Sequence, residues 1–576
     1  MISKLVVILT LLVLPEISTA NPYLVGSGQT SIEPPSSVFS VSLAGYGVPR
    51  EGRFSLEWIE QEKSKRFSQL FQPGKRKPSA IASMNIRTFE VLNKEIVIVD
   101  EDGLVWKSPQ SKKLSWSKLN HDADIIDLAV SDEQLYALTN DNEILRYQSD
   151  GGWLRIAIKN GITYKQDIKQ IGVLKDRLYG MDSSGAIFLA QHKTDNNLSA
   201  HALAIKSGTE RVALVSLDLC GFDGSFINEV KEVIEKKHGI KPQAILVNAS
   251  HTHFAPVTQN WPTWGPHCQK PDSTYLYGTV KPAIIASIST AIKNESEADI
   301  YFGRGTAAIG ANRSLKQEPI PQDKDVDVIK VVYRNRSGND VLFLHGCHPV
   351  FNQGQEGITI SANYPAITRD LLSQDPGIKS SMFMQGCGGD VNPVDSDHRV
   401  TGKKLASAVQ GVLGSDLKQV IGEINYYLDT INFPVKPWTK EKLEAFKQQN
   451  SGREGDVGAE KNVRWADLML AYERTGTMPK QMPVYVQTIN IGNWKLVGLS
   501  REVVTEYSIG IKQLWPDQMV SVAGYSNDVS SYLPTRRHIQ AGVYEGNDSF
   551  FWYGQPNIFP ENVYETIISS IKAKNH

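Results

Sequence analysis

Three hairpins of one design recur in the first third of this chain, and their spacing limits what that part can fold into. Ile96-Val97-Ile98-Val99 leads through Asp102-Gly103 to Leu104-Val105-Trp106. Leu135-Tyr136-Ala137-Leu138 leads through Asp141-Asn142 to Ile144-Leu145, and Leu178-Tyr179-Gly180-Met181 through Ser184-Gly185 to Ile187-Phe188. Apolar, β-prone runs split by Asp, Asn and Gly read as strands joined by tight turns. The starts Ile96, Leu135 and Leu178 lie 39 and 43 residues apart, and Trp116 and Trp153 follow the first two at similar offsets. That period is the size of a β-propeller blade. Closed propellers use about four to eight blades, so three units are an incomplete set, a ring closed by degenerate strands, or one completed by a partner chain. The plainer alternative is an irregular β-rich insertion.

The flanking sequence has a different character. Residues 1–20 carry Lys4, an apolar run Leu5 to Leu14, and small residues Ser18 and Ala20 at cleavage-site positions, which reads as a secretory signal. The mature chain is then expected to begin near Asn21, and an uncleaved anchor is the alternative. No other stretch has the roughly 18 uncharged apolar residues of a membrane-spanning helix, and no cysteine follows the cleavage site to carry a lipid. A secreted or periplasmic location follows. Residues 21–50 form an N-terminal segment containing Ala44-Gly45-Tyr46-Gly47, and 51–80 a linker with a polar helix from Phe54 to Phe71 and a break at Pro73 to Pro78. Residues 81–200 hold the repeats.

Residues 201–576 read as α/β. Val212 to Leu219 is a near-continuous apolar strand, Ser225 caps a helix from Phe226 to Lys237, Gly239 ends it, and Ala244 to Ala249 is the next strand. Further strands are predicted at Ile300 to Gly303, Val328 to Tyr333, Val341 to Leu344 and Met382 to Met384. Helices are predicted near Tyr275 to Ile292, Tyr364 to Leu372, Thr401 to Leu413, Lys440 to Lys447, Glu460 to Glu473 and Val563 to Lys572.

At 576 residues the chain exceeds one ordinary core, which favours two or more domains. Its 61 basic and 62 acidic residues nearly cancel, with no basic stripe interleaved with aromatics, which argues against nucleic acid as a partner. Cys220, Cys268, Cys347 and Cys387 are too few for a disulfide framework. Cys347 and Cys387 both end apolar runs near candidate site residues, where a bond between them, buried thiols, or a thiolate on a metal are open, the first two being favoured.

Two strands end in histidines. Ala244 to Val247 runs into Ser250-His251-Thr252-His253, where alternation puts both rings on one side, and Val341 to Leu344 runs into His345-Gly346-Cys347-His348-Pro349. Carboxyl ends of strands are where α/β sheets place ligands. Zinc suits imidazole and carboxylate donors, so His251 and His348 are the expected metal ligands, with His253 either a third ligand or a group near the reacting atoms.

The segment Ser250-His251-Thr252-His253-Phe254-Ala255-Pro256 resembles the Thr-His-Thr-His-Ser-(Gly/Ala)-Pro signature of the neutral/alkaline, non-lysosomal ceramidases, a family of zinc amidohydrolases. In the same order, Asn312-Arg313-Ser314, Cys347-His348-Pro349 and Gly389-Asp390-Val391-Asn392-Pro393 are similar to that family's Asn-Arg-Ser, second histidine and Gly-Asp-Val-Ser-Pro segments. Ser500-Arg501-Glu502 stands where the family has Pro-Gly-Glu, and Tyr532 and Tyr544 keep the 12-residue spacing of its tyrosine pair. The resemblance covers about residues 36–50 and 203–573. It implies a mixed-sheet α/β zinc hydrolase domain interrupted by the all-β propeller-like insertion. It also implies metal ligands His251, His348, Glu502 and Tyr532, with His253, Arg313 and Tyr544 around a scissile amide and Gly45 lining the pocket. Asn392 takes the place of the family's serine, beside the substrate, so no serine nucleophile is available there and attack by metal-activated water is favoured.

The function this implies is an exported, zinc-dependent amidohydrolase cleaving an N-acyl bond of a small or lipid-like substrate. The alternatives are a zinc hydrolase of an ester, lactone or peptide link in a glycan or cell-wall polymer, and a non-catalytic carbohydrate- or protein-binding scaffold. Contact with a membrane surface or polymer, and the oligomeric state, are left open.

Overall fold

The computed structural model describes residues 22–35, 41–44, 56–62, 70–71, 77–111, 113–131, 134–147, 151–157, 167–175, 177–351 and 359–574. Gly45, the signal-like segment and half of Phe54 to Phe71 lie outside them.

A nine-stranded mixed sheet forms the centre. Its order across the sheet is Ile245–Ala249, Glu210–Leu217, Ser199–Ser207, Tyr23–Ser31, Ser296–Thr306, Asp325–Tyr333, Asn339–His345 and Ile378–Gln385, with Lys418–Val420 branching from Ser296–Thr306. Two pairs are parallel, Glu210–Leu217 with Ile245–Ala249 and Asn339–His345 with Ile378–Gln385. Three of these four strands, Glu210–Leu217, Ile245–Ala249 and Asn339–His345, carry the buried Val/Leu/Ile runs visible in the sequence, as expected for strands covered on both faces, while Ile378–Gln385 is buried continuously only from Met382 onward. The helix Lys281–Lys293 lies directly on Tyr23–Ser31. Contact this close requires glycine, because a Cβ on Gly26 or Gly28 would stand 2.1 Å from Ala291 O or Ser287 O.

A second, four-stranded sheet runs Ile424–Pro434, Gln481–Ile491, Trp494–Leu499, Met519–Ala523, the last two parallel. One apolar core joins both sheets, with Leu214, Leu246 and Val247 of the first packed in the same cluster as Ile489, Leu496 and Ala523 of the second. Helices Glu506–Leu514 and Val563–Ala573 cover the second sheet's other side, and Asn363–Leu372 and His398–Leu413 cover the Asn339–His345 half of the first. The result is a layered, mixed-sheet α/β domain.

The helix predicted after Val212 to Leu219 is Gly224–His238, and Gly239 ends it at φ +69°. Ser225 does not cap it. The first turn is instead satisfied from outside, Gly224 N donating to Asp528 Oδ1 at 2.8 Å.

The repeats form three four-stranded antiparallel sheets. Ile86–Leu92, Glu95–Asp100, Val105–Pro109 and Ser117–Leu119 make the first, and Ile125–Ser131, Gln134–Thr139, Ile144–Tyr147 and Trp153–Ala157 the second. The third is Ile168–Leu174, Arg177–Asp182, Ile187–His192 and, from before the first sheet, Leu56–Glu60. Leu56–Glu60 falls in the segment expected to be helical. It is a strand because the open edge of Ile187–His192 offers it a ladder, with Trp58 buried opposite Ala190. The edge strands Ile86–Leu92, Ile125–Ser131 and Ile168–Leu174 carry a register shift at the same place, after Ile86, Ile125 and Ile168. The sheets are blade-like, but the described residues form no closed propeller.

The four cysteines are buried free thiols. Cys347 and Cys387 face separate apolar clusters. No described helix is long and apolar enough to cross a membrane.

Candidate metal centre

The parallel strands of both sheets end at a common edge, and the candidate residues are built there. Ser250 and His251 follow Ile245–Ala249, His348 follows Asn339–His345, Gly386 to Asp390 follow Ile378–Gln385, Glu502 follows Trp494–Leu499, and Tyr525 follows Met519–Ala523. The ends are tied by buried amides. Asn248 Nδ2 donates to Gly524 O at 2.7 Å and to Gln385 O at 3.2 Å, while Gln385 Nε2 donates to Cys347 O at 2.7 Å and Ser250 O at 3.2 Å. The backbone N–H of His253 reaches Pro349 O at 3.2 Å, joining the two histidine motifs directly.

His251, His348 and Glu502 converge. His251 Nε2 lies 3.0 Å and His348 Nε2 3.2 Å from the same carboxylate oxygen, Glu502 Oε2, and all three side chains are buried. Each ring is fixed from behind, because His251 Nδ1 lies 2.6 Å from Cys220 O and His348 Nδ1 2.6 Å from Gly388 O. A carbonyl only accepts, so both Nδ1 atoms carry hydrogen and both Nε2 atoms present lone pairs. Three lone pairs then face one point. They repel unless a positive charge sits among them, either a proton shared by His251 and Glu502 or a divalent cation. The donor set, two imidazoles and one carboxylate with carbonyl-anchored rings, fits zinc with a position to spare.

The electrostatics show the same demand for a positive charge among these groups. Burial works against the charged ring of His251, but Glu502 and then Cys220 outweigh it and raise its pKa to about 10. Burial likewise opposes ionised Glu502, yet His251 and His348 hold its carboxyl well below the usual range. Burial and Arg313 lower His348 to about 4. Burial, His251 and His348 hold His253 neutral.

The other expected residues surround this point. His253 Nε2 is 3.1 Å from His251 Nε2. Residues 502–503 pair in parallel with 532–533, which sets Tyr532 beside Glu502. The Tyr532 hydroxyl accepts from Arg313 Nη2 at 3.0 Å, and its ring lies 5.4 Å from that of Tyr544, which is 39% exposed. Gly310–Asn312 pairs with Val391–Pro393, bringing two of the ordered motifs together. Arg313 is held on every side, by Glu545 Oε1 at 2.9 Å, Asn392 Oδ1 at 3.0 Å and Gly389 O at 3.0 Å. Its fork therefore orients Tyr532 and Asn392.

Arg501, at the place of the family's glycine, has φ +77°, the left-handed region that glycine favours. Its guanidinium compensates by donating to Pro483 O at 2.7 Å and to Ser531 Oγ. His251 (φ +64°) and Tyr525 (φ +49°) are also left-handed, so backbone strain gathers at this centre.

Several contributors escaped the sequence reading. Cys220 Sγ lies 3.7 Å from His251 Nδ1, and Cys220, His251 and His253 form a second, overlapping set of donors. Asp390 stood in an ordered motif without an assigned role; it is fully buried and takes Thr505 N at 2.7 Å, Asn312 Nδ2 at 2.7 Å and His538 Nε2 at 3.2 Å. Tyr553 donates to Glu502 Oε1. Burial, then Glu502, raises its pKa well above the ordinary tyrosine value, so it keeps its proton. Its only sequence signal was its position within the aromatic run Phe550 to Tyr553.

Among solved structures, the chain is similar to one described as a ceramidase complexed with C2, at TM-score 0.53 and 16% identity over 66% of this chain and 69% of that one. The chain has a ceramidase-like fold. The neutral ceramidase from Pseudomonas aeruginosa gives the same result, at TM-score 0.51 and 16% identity over 67% of this chain and 70% of that one. No protein-family model and no curated protein matches. The ordered motifs and the ceramidase-like architecture thus agree where overall sequence identity is low.

Proposed function

We propose that this protein is an exported zinc amidohydrolase that cleaves an N-acyl amide, with His251, His348, Glu502 and Tyr532 holding the metal. The observation that carries the reading is the convergence of His251 Nε2 and His348 Nε2 on Glu502 Oε2 at 3.0 and 3.2 Å, with both rings anchored through Nδ1. Zinc at such a site supplies Lewis acidity toward a carbonyl and lowers the pKa of water.

The remaining chemistry belongs to this chain's residues. His253 stands beside the ligand set with its Nε2 directed at the same point, so it receives a proton from the attacking water and returns it to the leaving amine. Tyr544, partly exposed and beside Tyr532, donates to the developing oxyanion in this reading. Arg313 fixes Tyr532 and orients Asn392, whose amide can bind the substrate but cannot serve as a nucleophile. Reaction by direct attack of water follows.

The test is hydrolysis of N-acyl amides graded in acyl length, before and after removal of metal by a chelator and after addition of zinc. The reading expects activity that is abolished by chelation, restored by zinc, and dependent on acyl length. Turnover that survives complete removal of metal overturns it.

A further inference from the structure

Glu502 uses its two carboxylate oxygens differently. Oε2 faces both imidazoles, while Oε1 accepts the hydroxyl of Tyr553. A carboxylate with both oxygens free can turn both toward one cation; one whose Oε1 is engaged presents a single oxygen. Tyr553 lies outside the Tyr532 and Tyr544 pair, yet its ring is 6.2 Å from that of Tyr532.

The backbone delivering Tyr553 is clamped. It follows the short helix Ser549–Trp552 and precedes Gly554, which turns the chain at φ +62° and whose N–H returns to Phe551 O at 3.2 Å. Trp552 O accepts from Thr263 Oγ1 at 2.7 Å, and the Trp552 ring lies 4.9 Å from Trp264, which stacks on Trp261 at 4.8 Å. A Cβ on Gly554 would stand 3.0 Å from Pro262 Cγ, so the two segments touch closely. The clamp is thus the stretch just downstream of the His251 and His253 loop. The Tyr553 side of its contact with Glu502 is thus held by two segments packed together.

We infer that Tyr553 is a positioning residue that holds Glu502 as a one-oxygen metal ligand, with the other oxygen withheld so that one side of the metal centre stays open for substrate. This rests on the metal-site reading above. It assigns Tyr553 a duty distinct from the oxyanion role proposed above for Tyr544.

The experiment is zinc affinity of the full-length protein, measured by competition with a fluorescent chelator, for wild type, Tyr553→Phe, Glu502→Ala and the double variant. Thermal melting of the metal-free proteins serves as the fold control. Loss of a partner that orients a ligand weakens metal binding by roughly 10- to 100-fold. Tyr553→Phe is expected to show that loss with an unchanged metal-free melting temperature, and no further loss in the Glu502→Ala background, because its effect passes through Glu502. Wild-type affinity in Tyr553→Phe, or an equal loss in both backgrounds, overturns the inference while leaving the metal-site reading intact. Failure of wild type to bind zinc removes both.

Discussion

Asn248 and Gln385, 137 residues apart, bind each other in both directions: Gln385 N donates to Asn248 Oδ1 at 2.8 Å, and Asn248 Nδ2 donates to Gln385 O at 3.2 Å. Their strands are not neighbours in the central sheet, so this exchange, with Asn248 Nδ2 also reaching Gly524 O, registers the ends that carry His251 and His348. Asn248→Ala takes the side-chain partner from Gln385 N and Gln385 O, while Gly524 O keeps Ser526 Oγ at 2.8 Å. Each such group costs about 1–3 kcal/mol, so a destabilisation of roughly 3 kcal/mol is expected. Chemical denaturation measures it, and a loss under about 1 kcal/mol would show that other contacts set the register.

Arg501 provides a test of stored backbone strain. At φ +77° glycine is favoured over any L side chain by about 1 kcal/mol. Arg501→Gly and Arg501→Ala remove the same guanidinium and its bonds to Pro483 and Ser531, so their difference isolates the backbone. Arg501→Gly should be the more stable of the two by that amount and should hold zinc at least as well. Equal stability of the two variants contradicts a strained position.

Lys231 predicts a pH dependence. Its side chain is buried, its Nζ donates to Asn527 Oδ1 at 2.7 Å, and burial pushes its pKa from 10.5 down to about 7. Below about 7 both folded and unfolded chains hold the proton, and the full burial cost applies. Between about 7 and 10.5 the unfolded chain holds a proton that the folded one has lost, so stability rises with pH, by at most about 1.4 kcal/mol per unit. Lys231→Met lacks this group. The stability of wild type relative to Lys231→Met, from denaturant unfolding at pH 7 to 10, should therefore climb with pH; a flat difference would mean that Lys231 stays charged when folded.

Local signals in the sequence marked much of this architecture. The apolar runs at Ala244 to Ala249 and Val341 to Leu344 became strands of the central sheet, Gly239 ended its helix, and the 39- and 43-residue spacing marked three real sheets. These features depend on neighbours in the chain, where periodicity and turn chemistry leave a record. Leu56–Glu60 was misread because its strand state comes from pairing with a segment about 130 residues away, not from its own composition. The site divides in the same way. His251, His348, Glu502, Arg313, Tyr532 and Tyr544 stood in ordered motifs. Tyr553, Cys220 and the Asn248 to Gln385 exchange act through side chains meeting across distant segments, and such meetings produce no repeat or motif.

The central claim is that His251 and His348 share one cation. The most direct measurement is zinc per chain by atomic emission after dialysis of wild type, His251→Ala and His348→Ala, each verified as folded by circular dichroism. The account predicts about one zinc in wild type and much less in either variant after dialysis, since each variant lacks one of the donors that hold the ion. A wild-type zinc content retained in both folded variants would contradict it.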